Sequence, residues 1–82
     1  MHYDVRFKPR AIKDGKKIPG IELEKVLLKI EAMKENLSGD VKRLTDYDPE
    51  YRLRVGVYRV LFALEKDNIV IYRIRHRKEI YR

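Results

Sequence analysis

Five arginines in the second half of this 82-residue chain have the type and spacing to bind a phosphate group. They lie in the stretches YRLRVGVYRVLF and IYRIRHRKEIYR, as Arg52, Arg54, Arg59, Arg73 and Arg75. Guanidinium is a planar fork of donors that matches phosphate oxygens bidentately and stays charged at any relevant pH. If a sheet brings these side chains to one face, that face can bind the backbone of a nucleic acid.

The first of two hairpins must place the arginines together. A glycine at the first central position suits a two-residue type II′ turn, so Gly56-Val57 predicts that residue 55 pairs with residue 58. Arg54 then lies opposite Arg59, and Arg52 lies two residues further along the same face.

The second connection, EKDNIV, allows two loops. A two-residue loop at Asp67-Asn68 would mix arginines and core residues on both faces, because a one-residue slip exchanges the faces of a strand. A three-residue loop at 66–68, with Asn68 left-handed, pairs residue 65 with 69, Arg59 with Arg75 and Leu61 with Arg73. We favour this register, because the opposite face is then wholly apolar or aromatic: Tyr58, Val60, Phe62, Leu64, Val70, Tyr72 and Ile74.

Like charges directly across an antiparallel pair are destabilising, so this cluster indicates function rather than stability. The structural alternative is a solvated sheet face on which the arginines pair with acids near in sequence, namely Asp48, Glu50 and Glu65.

The first half of the chain predicts one strand and two helices. Alternation of Tyr3, Val5 and Phe7 with charged residues is typical of a strand. A short helix is expected from Pro9 to Pro19-Gly20, and apolar residues every three or four positions predict a main helix from Ile21 to Leu37, ended by Gly39. A short strand at 41–44 and three strands between 51 and 77 complete an α+β fold, with two N-terminal helices packed on one face of a curved, mainly antiparallel sheet.

Composition limits the function classes. The length favours one domain over residues 1–82, and a net charge of +7 with a pI near 9.8 favours a polyanionic partner. With no cysteine and two histidines, neither a metal site nor a cofactor is expected. No signal-like or membrane-spanning apolar run occurs, so the cytoplasm is the expected location.

The segments YRLRVGVYRVLF and IVIYRIRHRKEIYR resemble the RelE/ParE superfamily of toxins from toxin-antitoxin modules, the RelE branch in particular. The resemblance covers essentially the whole chain. It implies a ribosome-dependent endoribonuclease that cuts messenger RNA in the A site, without a metal, by attack of a ribose 2′-hydroxyl on the adjacent phosphate.

The same resemblance implies residue roles. Arg52, Arg54 and Arg59 would hold the scissile phosphate, Arg75 would support the leaving oxygen, and Tyr81 would orient or deprotonate the attacking hydroxyl. Better-studied RelE toxins carry lysine at the positions of Arg52 and Arg54, and arginine, which stays protonated at any relevant pH, is a poor general base. The further cations expected to bind RNA are Arg73, Arg77, Lys78 and Arg82.

The implied partners are the ribosome, messenger RNA and a RelB-like antitoxin whose disordered segment wraps the toxin in a hetero-oligomer. A wide apolar stripe at Leu27 and Leu28, together with the basic face, could accept an acidic segment that folds on binding. Two alternatives remain open: a ParE-type inhibitor of DNA gyrase, and a nuclease-inactive relative that binds RNA or the antitoxin without cutting.

Overall fold

A computed structural model describes residues 1–80 as a five-stranded sheet with three helices. The elements are β1 (Asp4–Phe7), α1 (Pro9–Lys16), α2 (Gly20–Ala32), β2 (Val41–Arg43), β3 (Tyr51–Val55), β4 (Tyr58–Glu65), β5 (Asn68–His76) and α3 (Arg77–Ile80). The strand order is β1-β5-β4-β3-β2, with β1 parallel to β5 and the other pairs antiparallel. The predicted α+β fold with a mainly antiparallel sheet is confirmed.

The core lies between one face of the sheet and the two N-terminal helices. The helices contribute Ala11, Val26 and Ile30, the C-cap position of α2 contributes Met33, and the strands contribute Leu53, Val60, Phe62, Ile69, Ile71 and Ile74. Spacings of three and four residues place the α2 positions on one helical stripe. Phe62 is fully buried, and the ring of Tyr51 stacks on it with 5.4 Å between centroids.

The predicted end of the main helix was wrong. Helix α2 stops at Ala32 rather than Leu37, and Asn36 and Leu37 take left-handed conformations with φ of 57° and 54°. The N-terminal residues cause this early end, because Asn36 N donates to Met1 O at 2.9 Å and Tyr3 N donates to Lys34 O at 2.8 Å. Backbone pairing with a segment more than thirty residues away replaces the last helical turns.

The β3–β4 turn follows the prediction. Val55 pairs with Tyr58, and Gly56 has a φ of 58°, the left-handed value that a type II′ turn requires at its first central position. A residue with a side chain would be strained at this φ.

The β4–β5 loop differs from both predicted loops. Glu65 pairs with Asn68 across a two-residue turn at Lys66-Asp67, and Lys66 rather than Asn68 has the positive φ, of 57°. A bulge at Leu61/Phe62 shifts the register, so Arg59 still faces Arg75 and Leu61 still faces Arg73. Beyond the bulge Phe62 pairs with Ile71.

Two residues were therefore assigned to the wrong face. Ile69 and Ile71 enter the core in place of Val70 and Tyr72. Val70 pairs with Ala63 instead, and the ammonium of Lys8 lies 5.3 Å from the centre of the Tyr72 ring. An extra residue in one strand inverts the side-chain alternation on one side of it, which a sequence pattern of period two does not reveal.

Candidate nucleic-acid interface

The sheet face opposite the core carries a row of three arginines on three neighbouring strands. Arg54 of β3 pairs with Arg59 of β4, which pairs with Arg75 of β5. A second row lies two residues along each strand, where Arg52 faces Leu61 and Leu61 faces Arg73. The predicted gathering of all five arginines on one face is confirmed, because alternate residues of a strand share a face.

Asp40, in the connection between α2 and β2, bridges two of these arginines. Its carboxylate lies 3.3 Å from Nη1 of Arg52 and 2.8 Å from Nε of Arg54, and its carbonyl accepts from the Arg54 N–H at 3.0 Å. The hydrogen bond from Arg52, with the charge of Arg54, lowers the pKa of Asp40. Gly39 permits the bend of the chain just before Asp40, since its φ is +122° and a Cβ there would lie 3.1 Å from Leu53.

Arg59 and Arg75 are less neutralised. Arg59 is 8% exposed, and its Nη1 donates to the carbonyls of Gly56 at 2.8 Å and Tyr58 at 3.0 Å. These carbonyls fix the guanidinium without cancelling its charge. Nη2 of Arg75 lies 3.4 Å from Glu79, and within residues 1–80 its buried Nε has no hydrogen-bond partner. The middle of the row is the part best suited to attract a phosphate.

Arg73 has a structural partner that the sequence analysis missed. Its Nε and Nη2 donate to the Asp14 carboxylate of α1 at 2.8 and 3.1 Å, and the Ile74 N–H donates to the same carboxylate at 2.9 Å. Asp14 thus accepts a hydrogen bond from the β5 backbone at Ile74, beyond the stretch of β5 that pairs with β1. Burial acts to raise the pKa of Asp14, but the donors from Arg73 and Ile74 outweigh it, and the pKa lies below its usual value.

This contact predicts a stability effect with a defined pH dependence. Replacing Asp14 by Asn should lower the free energy of unfolding by about 2 kcal/mol near neutral pH, since charge-assisted bonds to Arg73 are lost. Because the folded pKa is depressed, the contribution is present above the ordinary value of 3.8 and is lost as pH falls through the folded pKa.

Urea unfolding followed by circular dichroism at several pH values measures this difference. Asp67→Asn, at an exposed position in the β4–β5 turn, makes the same charge change and should leave stability nearly unchanged. An Asp14→Asn chain as stable as the unmodified one at pH 7 would show that the Arg73 contact contributes nothing.

The remaining predicted cations are only partly described. Arg77 and Lys78 are exposed in α3, whose start is joined to the β3–β4 turn by the Arg77 N–H donating to Val57 O at 2.7 Å. Tyr81 and Arg82 lie outside the described residues.

The acids that contact the five arginines are not those expected from nearness in sequence. Among residues 1–80 they are Asp14, Asp40 and Glu79, whereas Glu50 pairs with Arg43 of β2 at 3.3 Å. Asp14 and Asp40 lie far from their partners along the chain, so no local charge pattern predicts them.

The sequence-based prediction also omitted an aromatic residue that lies beside the arginines. Tyr47, on the loop between β2 and β3, is 51% exposed and lines one cleft with Arg52, Arg59 and Leu61. The available signal was an aromatic side chain within the polar loop TDYDPE. In the described part of the chain, no helix is long and apolar enough to cross a membrane, and no group of three His, Asp or Glu side chains is arranged to hold a metal ion.

Comparison with known proteins gives a consistent family. Residues 5–81 match the family described as "ParE toxin of type II toxin-antitoxin system, parDE". Among curated proteins, Toxin RelE3 of Methanocaldococcus jannaschii is 35% identical, over 94% of this chain and 93% of that protein. The putative toxin RelE1 of the same organism is 37% identical, over 96% of this chain and 93% of that protein.

Solved structures agree with this assignment. A RelB-RelE antitoxin-toxin complex from Methanococcus jannaschii matches with a TM-score of 0.78 and 35% identity, over 93% of this chain and 94% of that one. The toxin-antitoxin complex RelBE2 from Mycobacterium tuberculosis matches with a TM-score of 0.79 and 26% identity, over 93% and 99%. With its arginine-bearing sheet face and these matches along nearly its whole length, the chain belongs to the RelE/ParE superfamily of toxins from type II toxin-antitoxin systems.

Proposed function

We propose that this toxin is a ribosome-dependent endoribonuclease that cleaves messenger RNA in the ribosomal A site and is silenced by a RelB-like antitoxin. The observation that carries the proposal is the row Arg54–Arg59–Arg75, in which three guanidinium groups lie directly across neighbouring strands. Such a row stores like-charge repulsion, and a phosphate bound over it would relieve that repulsion.

The proposed reaction is a transesterification within the RNA strand. The 2′-oxygen of one nucleotide forms a bond to the adjacent phosphorus, the bond from phosphorus to the 5′-oxygen of the next nucleotide breaks, and that oxygen takes a proton. The products are a 2′,3′-cyclic phosphate and a 5′-hydroxyl. This chemistry needs in-line positioning and stabilisation of negative charge, which fixed cations can supply without a metal.

We propose a role for each arginine, taken from the family resemblance and supported where noted by its position. Arg59, nearly buried and held by two carbonyls, stabilises charge on the phosphate at the centre of the row. Arg52 and Arg54, oriented by Asp40, bind the same phosphate or its neighbour. Arg75 supports the leaving oxygen. Tyr81 orients or deprotonates the 2′-hydroxyl, and this role rests on the family resemblance.

Arg73 fits a supporting role better than direct RNA binding. Its guanidinium is engaged by Asp14 through two hydrogen bonds, so its charge is largely compensated and its main effect is to hold α1 on β5. Arg77 and Lys78 are exposed and free to approach the RNA backbone. We propose that these two cations contribute to affinity rather than to the chemical step.

The chemistry of the product ends tests this proposal. Message cut on programmed ribosomes should carry a 2′,3′-cyclic phosphate, and a message with a single 2′-deoxy nucleotide at the cut site should resist cleavage there. Cleavage that persists at the deoxy position would exclude attack by the 2′-hydroxyl. The ParE family match keeps gyrase inhibition as a second candidate, and a supercoiling assay in parallel with cleavage separates the two.

We propose that the antitoxin docks on the helices of this chain. A groove of ≈ 260 Å³ between α1 and α2 is lined by Phe7, Ile12, Leu23, Leu27 and neighbouring apolar carbons. Ile12 is 51% and Leu27 is 43% exposed, so apolar area is left uncovered. An amphipathic segment of the antitoxin could bury this surface while its acidic residues meet the basic toxin.

Replacing Leu27 by Glu should weaken antitoxin binding by roughly 10-fold or more, because a charge would be buried in the groove. Ile21→Glu is a matched control, since Ile21 lies on the same helix, is 74% exposed and does not line the groove. Isothermal titration of each toxin variant with the cognate antitoxin measures the effect. Equal losses for both variants would argue against docking in this groove.

A further inference from the structure

The loop between β2 and β3 forms a cleft beside the arginine row. The cleft has a volume of ≈ 340 Å³, and its lining includes Arg43, Leu44, Tyr47, Arg52, Arg59 and Leu61. Sites for small ligands start at about 300 Å³, so the space can hold one nucleobase with part of its sugar.

The cleft joins an apolar surface to an aromatic ring. Leu61 faces Arg52 and Arg73 on the basic side of the sheet and is 5% exposed, so it forms a small apolar part of the cleft floor between cationic side chains. Tyr47 is 51% exposed on the loop side of the same cleft. A flat, partly apolar ligand can cover Leu61 and stack on the tyrosine ring at the same time.

The loop that carries Tyr47 is closed at its base. The Leu44 N–H donates to Glu50 O at 2.7 Å, and Nη2 of Arg43 lies 3.3 Å from the Glu50 carboxylate. Pro49 is buried beneath the loop. The base of the loop is therefore tied to the start of β3, two residues from Arg52.

We propose that this cleft binds one base of the RNA strand, which stacks on Tyr47 against Leu61 while its phosphate reaches Arg52 and Arg59. The inference rests on the proposed RNA-cleaving function and assigns that function a base-binding subsite. Aromatic stacking with a nearby cationic track is how proteins hold unpaired bases. The cations Arg43, Arg52 and Arg59 in one small cleft favour a nucleotide over an apolar protein side chain.

Binding of an uncleavable probe tests the subsite independently of catalysis. The probe is a short, fluorescent, single-stranded 2′-O-methyl RNA, titrated at low salt with the unmodified toxin, Tyr47→Ala and Tyr47→Phe. Loss of the stack in Tyr47→Ala should weaken binding by roughly 5- to 150-fold, and Tyr47→Phe should bind nearly as well as the unmodified chain. Ile21→Ala, which shortens an exposed apolar side chain on α2 outside the cleft, should leave RNA binding unchanged.

A set of probes with one abasic position each identifies the base concerned. One abasic position should weaken binding to the unmodified toxin strongly and to Tyr47→Ala hardly at all, because the stacking partner is then already absent. Equal losses in both proteins at every position, no binding of the probe, or loss of antitoxin binding without loss of RNA binding in Tyr47→Ala would each overturn the inference. A toxin that does not cleave but shows the coupling would contradict the nuclease and leave the base subsite standing.

Discussion

Arg59→Ala should reduce the rate of message cleavage by roughly 100- to 1,000-fold, because it removes preorganised charge from the centre of the phosphate-binding row. Arg59 lies directly across from both Arg54 and Arg75, and it is 8% exposed. Its two hydrogen bonds to carbonyls hold the guanidinium in place before RNA arrives. Single-turnover cleavage on programmed ribosomes measures the loss directly.

Two further variants show whether the loss at Arg59 comes from chemistry or from charge alone. Arg59→Lys keeps the positive charge but loses the planar fork, so we expect it to recover only part of the rate. Arg6→Ala removes one exposed cation from the edge strand β1, where Arg6 pairs with Val70 of β5 rather than with the arginine row, and should cleave like the unmodified toxin. Circular dichroism checks that the Arg59→Ala chain keeps its secondary structure. A folded Arg59→Ala chain with full activity would show that the arginine row takes no part in cleavage.

Phe62→Ala should lower the free energy of unfolding by about 3–5 kcal/mol, because it leaves a cavity at a fully buried aromatic position. Phe62 pairs with Ile71 beside the bulge in the β4–β5 pairing and stacks on Tyr51, so it joins three strands of the sheet. A chain of this length is stabilised by only about 4–12 kcal/mol in total. Urea unfolding should show a largely unfolded or barely folded variant.

Phe62→Leu is the matched control, since it keeps an apolar side chain in the same space. Replacements that conserve volume and polarity cost less than about 1.5 kcal/mol, so this chain should remain folded. If the free energy of unfolding of Phe62→Ala lies within about 1 kcal/mol of that of the unmodified toxin, the core does not depend on the Phe62 contacts.

The strand pattern of the second half was predictable because it depends on short-range rules. Gly56 specifies its turn, and the turn fixes Arg54 opposite Arg59. The β4–β5 register near the arginines was also correct, although the loop was wrong, because the bulge compensates for the shorter turn. The face of Val70 and Tyr72 depends on that bulge, and no pattern in their own sequence marks it.

Features set by distant parts of the chain were not predictable. Helix α2 ends early because Met1 and Tyr3 take over the backbone groups of residues 34–36. Asp14 and Asp40 reach Arg73 and the Arg52–Arg54 pair from other elements, across separations that a single sequence does not reveal. The cluster of guanidinium groups on one face was therefore predictable from residue types and strand register, whereas the carboxylates that orient it required the folded chain.

The central claim is that this toxin cuts messenger RNA on the ribosome. Purified toxin, incubated in excess with ribosomes that hold a defined codon in the A site, should produce primer-extension stops within that codon, and these stops should form far more slowly with Arg59→Ala. Message that stays intact at the same toxin excess, with ribosomes shown to be active in translation, would contradict the claim.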